Sequence, residues 1–402
     1  MRFAPIPFVT LYAEPSRNGV YKPAPFRGRG IKLVNMGELF GNEFIGSQEM
    51  ERIELSAAEL GRSGLQDGDL LFGRRSVVEA GAGKCALVVA PTEPLTFESS
   101  IIRVRLNQDK ANPRFFHYFF ASPEGRGLIR TIVSGATVKG IRGSELARLP
   151  VVAPPLPLQN TVAEILKAYD DLIENNRRRM ALLEESARQI YREWFVRLRF
   201  PGHEHTRIIE GVPEGWERTT FGDLCCEIRE TVNPEALDPD TAYIGLEHIP
   251  RRSIALTEWG TAEQVTSSKH RFAAGDVLFG KIRPYFHKVG IAFLDGVASS
   301  DAIVLRPYHP HHLGFVLMTA SSDPFVATTA QTMREGSKMP RADWKQMRAY
   351  PAPLPPPGLL DSFQATIEPI VEQLRTLTFA NQKLRTARDI LLPRLMSGEI
   401  AV

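Results

Sequence analysis

The chain repeats itself, and no other feature constrains its fold as tightly. Gly68-Asp69-Leu70-Leu71-Phe72-Gly73-Arg74 returns as Gly275-Asp276-Val277-Leu278-Phe279-Gly280-Lys281. Leu149-Pro150 ahead of Pro154-Pro155 returns as Tyr350-Pro351 ahead of Pro355-Pro356, 201 residues later in a chain of 402. A sequence that reads twice at half its length builds two copies of one structural unit.

Each copy ends in a proline-rich stop followed by a helical pattern. In the first, Val162, Leu166, Tyr169, Ile173, Asn176, Met180, Leu183, Ala187, Ile190 and Trp194 are spaced alternately by four and three. In the second, Phe363, Ile367, Ile370, Leu374, Leu377, Asn381, Leu384, Arg388, Leu391 and Leu395 keep the same spacing. That is the a/d seam of a coiled coil, with polar Asn176, Asn381 and Arg388 as register-setting positions. A helix over 162–194 runs roughly 50 Å at about 1.5 Å per residue. Pro369 is expected to kink the second helix or to mark its start. Two such helices in one chain pair most simply antiparallel. With a globular domain at each N-terminal end, that pairing predicts a pseudo-two-fold dumbbell. The expected class is α+β, with globular domains at 1–150 and 201–350 and helical spacers at 151–200 and 351–402. Turn signals around Asp67-Gly68-Asp69 and Ala274-Gly275-Asp276 bound strand-like apolar runs.

At 43% hydrophobic and 24% charged, the composition is that of an ordinary globular protein. Three cysteines, Cys85, Cys225 and Cys226, are too few for a disulfide framework or a four-ligand zinc site. No apolar run approaches the ~20 residues of a membrane helix. Residues 1–10 lack the pattern of a signal peptide. A reduced cytoplasmic setting without membrane contact is the expectation.

Charge is unevenly placed. Residues 202–263 carry 13 acidic and 5 basic side chains, whereas 264–350 carry 6 and 11. Basic residues cluster after each glycine-aspartate motif: Arg74, Arg75 and Lys84, then Lys139, Arg142 and Arg148. In the second copy these become Lys281, Arg283 and Lys288, then Arg334, Lys338, Arg341, Lys345 and Arg348. Recurrence in both copies points to a shared anionic partner. Gly73 and Gly280 are expected to let the backbone approach phosphate closely.

The whole chain resembles the specificity subunit of a type I restriction–modification system. The resemblance rests on the two glycine-aspartate motifs, on Ser134-Gly135-Ala136-Thr137-Val138-Lys139 with Glu335-Gly336-Ser337-Lys338-Met339-Pro340, and on Leu156-Pro157-Leu158-Gln159. It rests further on the run Ala168 to Asn176, on the stretch Leu391 to Ile400, and on Val212-Pro213-Glu214-Gly215-Trp216 with Phe221-Gly222-Asp223-Leu224. The first copy lacks a clear equivalent of these last two segments. The resemblance implies two target-recognition domains, each reading one half of a bipartite asymmetric site in double-stranded DNA. It implies a helical spacer that docks two modification subunits, which bind S-adenosylmethionine, together with restriction subunits. No active site and no cofactor are implied for the chain itself. The basic residues named above, Arg148, Arg334 and Arg348 aside, are the candidate DNA contacts.

Other chemistry finds little support. Gly81-Ala82-Gly83-Lys84-Cys85 fails the phosphate-loop pattern. His309, His311 and His312 sit in a proline-rich turn without a carboxylate set. Asp343-Trp344-Lys345 lacks a nearby acidic partner for a nuclease site, and no Asn/Asp-Pro-Pro-aromatic methyltransferase motif occurs. The alternative is a coiled-coil adaptor whose globular domains bind proteins.

Overall fold

The computed structural model describes residues 3–77, 81–331 and 340–400. The chain separates into two compact units, one of Met1–Asp171 with Leu384–Val402, the other of Leu172–Lys383.

The first unit is organised by a five-stranded sheet. Its order is Tyr12–Asn18, Ile101–Leu106, Leu70–Gly73, Cys85–Val88 and Phe44–Ile45. The central strand is the repeated motif, Leu-Leu-Phe-Gly, and all four residues are buried. Its side chains alternate, as a strand's must. Leu70 and Phe72 enter one core with the aromatic helix Pro113–Ala121, while Leu71 enters a second with Leu95 and Phe97.

The second unit is built the same way. Cys225–Ile228, Ala302–Pro307, Val277–Gly280 and Val289–Ile291 form its motif sheet in that order. Val277 and Phe279 face one core and Leu278 the other.

The motif aspartates explain why the motif recurs. Asp69 is fully buried and accepts two hydrogen bonds at 2.7 Å from the Arg105 guanidinium, plus one from the Gln66 amide at 2.8 Å. Asp276 repeats this with Arg306 at 2.7 Å twice and the Ala273 amide at 2.8 Å. Each ties the turn before the central strand to its neighbour strand. Gly68 and Gly275 make that turn with φ of 85° and 93°, where a side chain would be strained.

The repeat also reaches the N-terminus, which the sequence comparison of the two halves does not show. Phe8–Leu11 forms a short 3₁₀ turn with Phe8 buried, and Phe221–Leu224 a helical turn with Phe221 buried. Phe8 donates its amide to Leu149 and Val9 to Ala147; Phe221 donates to Tyr350 and Gly222 to Arg348. The two segments share that backbone site, the buried phenylalanine and the buried leucine three residues on, Leu11 and Leu224.

The two long helices are Leu156–Tyr191 and Pro357–Met396, and each contributes to both units. In the first unit Val162 and Leu166 share a core with Leu392, Leu395 and Met396, and Asp170 pairs with Arg388 at 2.6 Å. In the second, Asn176 donates to Asn381 at 2.9 Å, and Tyr191 lies 6.3 Å from Phe363 between ring centroids. Within each unit the helices therefore run antiparallel. Ile173, Met180, Ile367, Leu374 and Leu377 are buried, while Tyr169, Leu183, Ile190, Ile370, Leu384 and Leu391 are half-buried. Trp194 lies beyond the α-helix, in a π-helical turn at Arg192–Val196, and packs on Phe363 at 5.7 Å.

Pro369 corrects an expectation. The second helix starts at Pro357 and continues through Pro369. Residues 365 and 369 are both exposed, so the carbonyl that loses its amide partner can bond water instead.

Candidate nucleic-acid interface

In each unit the chain leaves the central strand at a glycine and enters a basic ledge. In the first, the Gly73 amide donates to Lys84 (2.9 Å), Arg74 donates to Ser100 (2.8 Å), and Ile141 donates to Arg74 (3.0 Å). Arg75 then pairs with Gly140, and Ser76 with Lys139, as two short antiparallel strands. In the second, Gly280 donates to Lys288 (2.8 Å), Lys281 to Asp301 (2.7 Å), Ala342 to Lys281 (2.8 Å) and Arg283 to Pro340 (2.9 Å). Backbone pairing thus gathers Arg74, Arg75, Lys84 and Lys139 in one unit, and Lys281, Arg283, Lys288 and Arg341 in the other. Residues far apart in sequence meet because the segment before the long helix returns to the end of the motif strand.

The side chains differ in what they can do. Arg75, Arg283, Arg341 and Lys345 are exposed, and Arg74, Lys139 and Lys281 are half-buried. Arg74, Arg75, Lys139, Lys281, Arg283 and Lys345 form no ion pair with a described carboxylate, whereas Arg341 lies 3.3 Å from Asp301. Lys84 and Lys288 are equivalent in a different sense. Lys84 donates its ammonium to the Phe40 carbonyl at 2.5 Å and Lys288 donates to that of Leu246, so both brace the fold. Burial, and then the nearby Arg251 charge, hold the Lys288 ammonium below its usual pKa. Arg142 immediately precedes the short helix Gly143–Leu146, and its guanidinium lies 3.8 Å from Glu145. Lys345 lies on the helix Trp344–Met347, capped by Asp343. Lys338 and Arg334 lie outside the described residues.

Gly73 and Gly280 do not face open space. A Cβ on Gly73 would stand 2.9 Å from the Gly81 carbonyl oxygen, and one on Gly280 3.0 Å from Cβ of Lys288. The glycines admit the protein's own neighbouring strand, not a phosphate. The contrast with the first unit's three-stranded sheet of Arg52–Ile53, Arg27–Val34 and Leu95–Phe97 is electrostatic. There Arg27, Arg29, Lys32 and Arg52 each meet a carboxylate, Glu51, Glu54 or Glu93. On the ledges, by contrast, Arg74, Arg75, Lys139, Lys281 and Arg283 stand without a described carboxylate partner.

Two residues that matter to the second ledge were not singled out from the sequence. The Arg251 guanidinium lies 3.9 Å from the Phe286 ring centroid, and Tyr285 next to it is 52% exposed. Arg251 hides in the acidic stretch 202–263, so its charge is masked in any segment count.

Among the described residues no group of three or more His, Cys, Asp or Glu is arranged to hold a metal, and no helix is long and apolar enough to cross a membrane. Cys225 is buried and Cys226 half-buried, both as free thiols.

Comparison with known proteins agrees with this architecture. Residues 41–185 match the type I restriction modification DNA specificity domain. The chain is 22% identical over 369 residues to the type I restriction enzyme MjaIX specificity subunit of Methanocaldococcus jannaschii, covering 82% of this chain and 83% of that one. It is 31% identical over 163 residues to the EcoKI specificity subunit of Escherichia coli K12, covering 39% and 35%. The fold is similar to that of the type I restriction–modification S subunit from M. genitalium, with a TM-score of 0.58, 14% identity, and coverage of 98% and 96%.

Proposed function

We propose that this chain, which belongs to the family of type I restriction–modification specificity subunits, reads a two-part asymmetric DNA sequence, one part with each unit. Such subunits are the recognition component and leave catalysis to others. The observation that carries the reading is the pair of basic ledges, made by the same backbone pairing in both units but lined by different side chains. Equivalent scaffolds suit equivalent grooves; different side chains suit different base sequences. Arg75, Lys139, Arg283 and Arg341 are assigned to phosphate or base contacts, and Lys84 and Lys288 to bracing. The long helices are assigned the docking of two modification subunits, which supply S-adenosylmethionine and the methyl transfer, and of restriction subunits.

The test is the methylome of cells carrying this chain with a type I modification subunit, against cells lacking it. N6-methyladenine at a two-part motif with a fixed gap is the expected result. An intact complex that leaves no such motif refutes the recognition role and favours the adaptor. Salt separates the two directly, because DNA binding through several phosphates weakens by orders of magnitude between low and moderate salt.

A further inference from the structure

The second ledge carries an aromatic pair that the sequence of the first does not. Between Gly280 and Lys288 the chain passes through Arg283 and His287, both in the left-handed region at φ 50° and 55°. Neither is glycine, and side chains occupy that region only at a cost. The rest of the unit imposes it. Arg283 donates to the Pro340 carbonyl, Phe286 donates to that of Arg283, and Arg252, itself at φ 55°, donates to that of His287. Pro284 and His287 are buried, and the His287 ring is 2.7 Å from the Ser321 carbonyl oxygen. A segment held at both ends in strained geometry is a rigid mount.

What it mounts is Tyr285. The ring sits edge-on to Phe286 at 5.0 Å, with Arg251 stacked on Phe286. Half of Tyr285 faces solvent, and no described residue takes its hydroxyl in a hydrogen bond. A tyrosine needed for packing would be buried and would find a partner for its hydroxyl. Here Phe286 does the packing, with the Arg251 and Arg283 guanidinium groups 3.9 and 5.8 Å from its ring centroid, and Tyr285 stands exposed beside them. In the first unit the matching connection, Arg74–Gly83, contains no aromatic residue.

We propose that Tyr285 is a specificity-determining residue, stacking on a base of the half-site read by the second unit, with Phe286 and Arg251 as its platform. Exposed aromatics on cationic surfaces bind bases by stacking. In a duplex that contact opens a base step, and pyrimidine–purine steps open most readily. The inference rests on the recognition role proposed above.

The test selects from a randomised duplex pool with the full chain as parent, Tyr285→Ala and Tyr285→Phe. Tyr285→Ala is expected to lose roughly 10-fold in preference at one or two adjacent base pairs of one half-site, on the scale of a lost stacking contact. The other half-site and the salt dependence stay as in the parent, since no cation is removed. Tyr285→Phe keeps the preference. If Tyr285→Ala retains every preference of the parent, or loses affinity equally for all duplexes, the assignment is overturned. A parent that binds all duplexes alike refutes the recognition role itself, on the parent's data alone, and the assignment falls with it.

Discussion

Replacing Asp69 by alanine takes away the acceptor of three hydrogen bonds, two of them from a guanidinium, at a fully buried position. Removing one partner of a buried ion pair costs about 3–5 kcal/mol, because the other charge stays behind unpaired. Arg105 is only 21% exposed but still meets Glu14 at 2.7 Å, so the lower end, about 3 kcal/mol, is expected from that range. Asp276→Ala removes the same three bonds. Its partner Arg306, however, is 44% exposed and can turn its charge to water, so about 1–2 kcal/mol is expected. Two units in one chain need not unfold together, so a single melting curve blurs them. Hydrogen exchange separates them. Amides of Leu70–Gly73 should exchange roughly 100-fold faster in Asp69→Ala, and those of Val277–Gly280 roughly 10-fold faster in Asp276→Ala, at about 1.4 kcal/mol per decade. Equal effects in the two variants, or unchanged protection in the first, would refute the argument from unequal solvent access.

Arg75→Ala with Lys139→Ala should weaken DNA binding and lower the slope of log affinity against log salt by about 1.8, if both touch phosphate; an unchanged slope in the folded double variant removes them from the interface. His117 is buried on the aromatic helix, and burial pulls its pKa down to about 4. The unfolded chain then binds the extra proton between pH ~6.5 and ~4, so stability is present above that window and lost as pH falls through it, by on the order of 3 kcal/mol. Denaturation against pH should show that loss in the parent and not in His117→Phe. Replacing Asn176 and Asn381 together by leucine should raise the melting temperature while admitting other registers or oligomers, seen as heterogeneity by light scattering.

Much of this was legible. A spacing of 201 residues and a four-three alternation suffice to place two paired helices and two like domains, because period and repetition survive without side-chain detail. Other features were not. Pro369 looked like a break because propensity carries no record of which helix face meets water. Glu184 lies off the four-three seam and was not singled out, yet it is buried and accepts from the Ser253 hydroxyl (2.6 Å) and the Ile254 and Ala255 amides (3.2 and 3.1 Å), clamping helix to domain. Phe8–Leu11 did not read as the equivalent of Phe221–Leu224, because only a phenylalanine and a leucine three residues apart are shared and the rest of the match is backbone position and burial. The basic clusters were visible as composition. That backbone pairing would assemble them, and that Lys84 and Lys288 would bind carbonyls, was not.

The first unit is discontinuous: Leu384–Val402 belongs with Met1–Asp171, and the second unit is threaded between them. During synthesis at about 5–20 residues per second, the early part of the first unit waits on the order of 10–40 s for the helix segment that supplies Leu392, Leu395 and Met396 to its core. Throughout that delay the core that holds its aromatic helix lacks those three side chains. The second unit closes within one stretch of chain and has no such wait. Nascent-chain aggregation, chaperone capture and proteolytic nicking should therefore fall on the half of the molecule that is made first.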